Sequence, residues 1–96
     1  MPLVFEWDSR KAKSNQRKHG VSFAEACTVF DDAGAVIFPD EDHSNGEERE
    51  IIVGYSILDH VLLVSFTERS MDRVRIISAR KATRREQKDY EEDIGS

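Results

Sequence analysis

Arginines recur from Arg69 to Arg85 at spacings that suit phosphate recognition. Arg69 precedes a short turn, Arg73 and Arg75 open a β-branched run, Arg80 and Lys81 close it, and Arg84-Arg85 follow. Alternate residues of a strand share a sheet face, so Arg73 and Arg75 lie opposite Val74 and Ile76. A guanidinium is always charged and presents a planar fork of donors, the geometry a phosphate accepts. Arg80 has the parity of Val74 and Ile76, so the strand must end or bulge before it. Arg84 and Arg85 fall in the first turn of a helix, where the macrodipole opposes cations and free backbone N–H groups attract anions. The plainer reading of these residues is a solvated face with surface ion pairs, each contributing little.

The elements that must position them follow from local signals. Leu3 to Trp7 alternates and reads as a short edge strand. Asp8 is an N-cap for a polar helix over Ser9 to Lys18, stopped by Gly20, with Lys18 and His19 at its end. Ser22-Phe23-Ala24-Glu25 is a capping box for a second helix with Phe23, Ala26, Cys27 and Phe30 on one face, ended by Asp31 to Gly34. Ala35 to Phe38 is a strand closed by Pro39. Asp40 to Glu48 is an acidic loop with the Asn45-Gly46 turn signal. Glu50 to Ser56 and Val61 to Thr67 form a hairpin across Ile57 to His60, which leaves His60 in solvent. A second turn near Ser70 to Asp72 leads to the strand Arg73 to Ala79. Thr83-Arg84-Arg85-Glu86 is another capping box, opening a last helix to about Asp93. Strands run in succession, so residues 1–96 form one α+β domain: a mostly antiparallel sheet with two N-terminal helices and a C-terminal helix.

Charge is uneven. The chain carries a net −5, yet residues 31–60 hold nine acids against Arg49 alone, and both ends are locally basic. The overall acidity counts against indiscriminate nucleic-acid binding. Cys27 is the only cysteine, which excludes an internal disulfide and a cysteine-rich zinc site. Pro39-Asp40-Glu41-Asp42-His43 lacks the spacing of an EF-hand or a zinc motif and reads as a solvated loop, so no metal or cofactor is expected. Walker, dinucleotide-binding and nucleophile-elbow motifs are absent, as are a base-stacking aromatic platform and a basic recognition helix. The apolar run Val61 to Val64 is too short for a membrane. The first residues lack a signal-peptide pattern, which makes the cytoplasm the expected compartment.

An ordered set of motifs carries a family resemblance. Phe5-Glu6-Trp7-Asp8, Asn15 to Ala26, Gly46-Glu47-Glu48-Arg49, Gly54-Tyr55-Ser56, Thr67-Glu68-Arg69, and Arg75 to Arg80 with Tyr90 resemble the BrnT toxins over nearly the whole chain. The resemblance implies a RelE-like ribonuclease fold, with helices on one side of the sheet and at its end. It also implies the toxin half of a type II toxin–antitoxin pair, neutralised by a DNA-binding antitoxin of the BrnA type and reaching operator DNA only through it. On that reading the 2′-OH of RNA attacks the adjacent phosphate without a metal. The chemistry needs cations for the pentavalent phosphate, a base for the hydroxyl and an acid for the leaving oxygen. Arg75, Arg80 and Arg69 are the expected phosphate ligands and Glu68 the base; Tyr90 or His19 supplies the acid. Arg73, Lys81, Arg84, Arg85 and Lys18 are expected RNA contacts. The alternative is a catalytically silent module that pairs with an antitoxin and modulates promoter repression. Convergence of Glu68, Arg75 and Arg80 on one cleft would discriminate between them.

Overall fold

The computed structural model describes residues 3–40 and 48–95. In chain order its elements are strand β1 (Val4–Glu6), helices α1 (Ser9–His19) and α2 (Phe23–Thr28), strands β2 (Val36–Pro39), β3 (Glu50–Tyr55), β4 (Val61–Ser70) and β5 (Arg73–Lys81), and helix α3 (Arg84–Gly95). The five strands lie in the order β1-β5-β4-β3-β2, antiparallel except for β1, which runs parallel to β5. This is the α+β class expected from the sequence. The acidic loop, with its Asn45-Gly46 turn and most of the Asp40-to-His43 cluster, lies largely outside the described residues.

Caps set the helix boundaries. The Asp8 carboxylate accepts from the N–H groups of Arg10 at 2.8 Å and Lys11 at 3.2 Å, and Gly20 ends α1 at φ 69°. That left-handed conformation is nearly free of steric cost only for glycine. The Ser22 hydroxyl caps α2 at the Glu25 N–H, 3.0 Å away. The expected return bond from Glu25 is absent among the described contacts. Its carboxylate turns instead to the Ser56 hydroxyl at 2.7 Å and His60 Nδ1 at 2.8 Å. His60 is therefore tied to α2 while its side chain stays 39% exposed, which adds a partner to the hairpin reading.

Both helices α1 and α2 cover one sheet face. Leu62, Val64 and Phe66 of β4, Val74, Ile76 and Ala79 of β5, and Ile52 of β3 meet Val21, Phe23, Ala26 and Val29 in a buried core. Inward residues recur every third position after Phe23 because the end of α2 tightens into a 3₁₀ turn, Val29–Asp31. This turns Val29 inward and leaves Cys27 and Phe30 half-buried, with the Phe30 ring between Phe5 at 5.1 Å and Phe66 at 5.0 Å. The other face carries a smaller cluster, where Tyr90 of α3 packs with Val53 and Val61. Helix α3 thus lies across one end of the face that α1 and α2 leave open.

One buried polar side chain joins α1 to the sheet. β1 pairs only with Arg73 to Arg75, so the rest of the β5 edge has no strand beside it. Asn15 takes the place of one: its amide donates to Ala79 O at 2.7 Å and accepts from Ala79 N at 3.0 Å, and also donates to Val21 O at 3.1 Å. Removing it strands a buried donor and acceptor. Asn15→Ala should lower unfolding free energy by about 2–3 kcal/mol in urea titrations. A loss below about 0.5 kcal/mol, within the range of an ordinary surface change, would mean the amide is not the clasp.

Candidate functional site

The arginine strand is irregular at one residue, and that irregularity builds the site. Phe66 pairs with Ile76 and Ser65 with Ser78, so Ile77 is an extra residue on β5. The bulge lets Ala79 keep the core face of Val74 and Ile76, while Ser78 and Arg80 join Arg73 and Arg75 on the other. Opposite them on β4 stand Thr67, Ser65 and Leu63, paired with Arg75, Ser78 and Arg80. The result is a strip with Arg73 and Arg75 toward one end and Arg80 toward the other, separated by the Ser65 and Ser78 hydroxyls, beside the end of the sheet covered by α3.

Each guanidinium has a carboxylate that orients it. Glu6, the β1 residue paired with Arg75, lies 3.1 Å from the Arg75 guanidinium and 3.5 Å from that of Arg73. Arg80 makes a two-point contact with Glu86 at 2.8 and 2.9 Å. Glu86 also closes the second capping box, accepting from Thr83 N at 2.9 Å while its own N–H reaches the Thr83 hydroxyl at 3.1 Å. The Arg80 fork, reinforced by the Thr83 N–H, pulls the Glu86 carboxyl down to about 2. The same pairing raises the Arg80 pKa. Both arginine side chains keep an exposed part, 36% for Arg75 and 42% for Arg80, so donors remain for an anion.

The other expected residues divide between three places. His19 and Lys18 line a groove of about 200 Å³ with Lys11, Ser14, Asn15, Ile77 and Ser78. Ser78 belongs both to this groove and to the arginine strip, so the end of α1 borders the strip at the β5 edge. Arg73, Lys81, Arg84 and Arg85 are exposed around it. Glu68 pairs with Val74, on the parity of the helix-covered face, and with Arg69 lines a cavity of about 470 Å³ that includes Glu48, Glu50 and Thr67; it borders the strip only through Thr67, the partner of Arg75. Burial, then Glu68 and Glu48, raises the Glu50 carboxyl there. The alternation Leu62, Val64, Phe66 already assigns Glu68 to that face, a signal the sequence reading passed over.

Tyr90 is buried at the far end. Its hydroxyl lies 2.9 Å from Gly34 O and 3.0 Å from Asp32 Oδ2, and its ring packs on Tyr55. Burial, then Asp32, pushes it up to about 12, so its proton stays within the fold. Burial alone pushes the Asp32 carboxyl up, but donors from Tyr55 N, Gly34 N and Tyr90 outweigh it and hold Asp32 below its ordinary value. Two residues outside the expected set matter most here, Glu6 and Glu86. Glu86 was visible only as a cap, and Glu6 only as an edge residue, because a three-residue parallel pairing leaves no local signal. Among the described residues no three His, Cys, Asp or Glu side chains are grouped to hold a metal ion.

An α+β fold with an open, arginine-lined sheet face is a layout suited to binding a polyanion. The chain matches the family model described as "Ribonuclease toxin, BrnT, of type II toxin-antitoxin system" over residues 7–86. It belongs to that family of ribonuclease toxins. A crystal structure of the Brucella abortus ribonuclease toxin BrnT shares the fold, with a TM-score of 0.65 and 24% identity, covering 88% of this chain and 99% of that one. None of the curated proteins matches the chain. Among the described residues no helix is long and apolar enough to cross a membrane.

The Arg80–Glu86 pair gives a pH signature. The folded Glu86 value of about 2 lies below the ordinary 4.5, so its contribution is complete above about pH 4.5 and lost as pH falls toward 2. Glu86→Gln should cost about 1 kcal/mol at pH 6, because the pair is partly exposed, and little near pH 2. Urea unfolding at the two pH values checks this; equal losses at both would assign the cost to the cap alone.

Proposed function

We propose that this chain is the toxin of a type II pair and a metal-independent endoribonuclease. The observation that carries the reading is the bulge at Ile77, which puts Arg80 on the face of Arg75 with Ser65 and Ser78 between them. In the proposed reaction the 2′-oxygen bonds to phosphorus as the bond to the 5′-oxygen breaks, leaving a 2′,3′-cyclic phosphate and a 5′-hydroxyl. Arg75 and Arg80 stabilise the pentavalent phosphate, helped by Arg73 and Lys81. Glu6, the carboxylate beside Arg75, takes the 2′-OH proton. This replaces Glu68, whose cavity holds carboxylates and Arg69 but neither Arg75 nor Arg80. His19, at the groove that meets the strip, returns a proton to the leaving oxygen, since imidazole is the side chain best suited to that near neutral pH. Tyr90 has a structural task. Arg84 and Arg85 extend the cationic rim along the RNA.

The partner of such a toxin is an antitoxin that brings carboxylates or apolar side chains onto the arginine strip. A DNA-binding antitoxin of the BrnA type would couple that neutralisation to operator DNA. The setting is the cytoplasm, where translated RNA is the substrate. The purified chain should cut structured RNA but not its all-DNA counterpart, with EDTA making no difference. Arg75→Ala should lower the cleavage rate by about 100-fold at unchanged melting temperature, the scale seen when one transition-state donor is removed. Tyr90→Phe should leave the rate of folded protein within a factor of about 3, as expected where no proton is transferred. No cleavage by the wild-type chain would favour the silent antitoxin-binding module.

A further inference from the structure

Helix α1 is built in a way the fold alone does not explain. Of its eleven residues, Ala12 and Asn15 turn inward and the rest are exposed. It carries Arg10, Lys11, Lys13, Arg17 and Lys18 and no acid. Surface helices are normally held by a wide apolar stripe, but here the inward side chains are Ala12, packed on the core, and Asn15, hydrogen-bonded to Ala79 and Val21. Lys13 and Arg17, one turn apart, repel each other at a small cost to the helix. Among the described residues none of the five cations makes a direct ion pair with a carboxylate, and the one acid beside them, the N-cap Asp8, attracts the Lys11 and Arg10 side chains without contact. An acidic chain therefore holds a cationic rod against the edge of its arginine strand by a polar clasp.

The cations fall into two stripes. Lys11, Ser14 and Lys18, at i, i+3 and i+7, line the groove against Ile77 and Ser78 of β5. Arg10, Lys13 and Arg17 form a neighbouring stripe that does not line it. Lys11 and Lys18 are separated by about 10 Å along the helix axis. We infer that this α1–β5 groove is a docking track for the backbone of single-stranded RNA: Lys11 and Lys18 each hold a phosphate, and the strand passes over Ser78 onto the Arg75–Arg80 strip. The inference deepens the ribonuclease reading and rests on it. The track contacts phosphates alone, so it sets affinity and path, not base preference.

The test uses a fully 2′-O-methylated single-stranded RNA, which has no attacking hydroxyl, and compares two double variants that lose equal charge. For Lys11→Gln/Lys18→Gln, binding measured from about 50 to 200 mM salt should weaken on the order of 10-fold, and the slope of log affinity against log salt should shrink by about 1.4, the share of two single-strand phosphate contacts. On cleavable RNA its KM should rise with kcat within a factor of about 2, as for a residue that binds without acting on the transition state. Arg10→Gln/Arg17→Gln should change the slope by less than about 0.4 and leave KM within a factor of about 2 of the wild type. Equal losses in both variants, or none in the first, would overturn the track. Circular dichroism and melting temperature confirm that both are folded. A wild-type chain that neither binds nor cuts RNA would overturn the ribonuclease reading itself, and the track with it.

Discussion

One extra residue in β5 is the constraint from which the site follows. Without the bulge, a regular pleat that counted Ile77 in register would send Arg80 to the face of Val74 and Ile76, where α1 and α2 pack, and would turn Ala79 out of the core. With it, Ala79 closes the core and offers its N–H and C=O to Asn15. Arg80 meanwhile reaches Glu86 and fixes the start of α3. The bulge thus connects three things that are separate in sequence: the attachment of α1, the capping of α3 and the alignment of two guanidinium groups. Bulges bend and twist the strand that carries them, and here that strand bears the candidate chemistry.

The carboxylates on this face explain how arginines can stand close together in a stable fold. Glu6 serves Arg73 and Arg75, and Glu86 serves Arg80. Exposed pairs of this kind add little stability, so their main effect is to hold long side chains in a chosen direction before an anion arrives. The acidity of the whole chain does not oppose this at contact distance. At physiological salt, exposed charges more than about 8 Å apart are largely screened, so an RNA lying on the strip responds mainly to the nearby cations. Remote acidic residues would act on the approach of a polyanion more than on its bound state.

Much of the fold was legible because its signals are local. Asp8, Gly20, Ser22 and the Thr83–Glu86 box act within one helical turn, and the β3–β4 and β4–β5 hairpins pair neighbours in sequence. Parity even demanded a bulge or a strand end before Arg80. What escaped depends on distant contacts. Glu6 meets Arg75 across 69 positions, through a strand of three residues. Glu25 chose Ser56 and His60 over its own helix start because those partners arrive from the β3–β4 turn. Tyr90 is a candidate acid in the sequence, and nothing local shows that its hydroxyl is held by Asp32 and Gly34, more than fifty positions away. The placement of Glu68 on the opposite sheet face from Arg75 is readable in the alternation of Leu62, Val64 and Phe66 along β4.

The central claim is that Arg75 and Arg80 act on the same phosphate. It is tested most directly by following arginine side-chain N–H resonances during titration with RNA bearing a single 2′-deoxy substitution at the scissile position. If the claim holds, the Arg75 and Arg80 signals move together with one affinity and saturate at the same RNA concentration. Movement of Arg84 and Arg85 with Arg75 and Arg80 unchanged would place the phosphate on the α3 rim and contradict it.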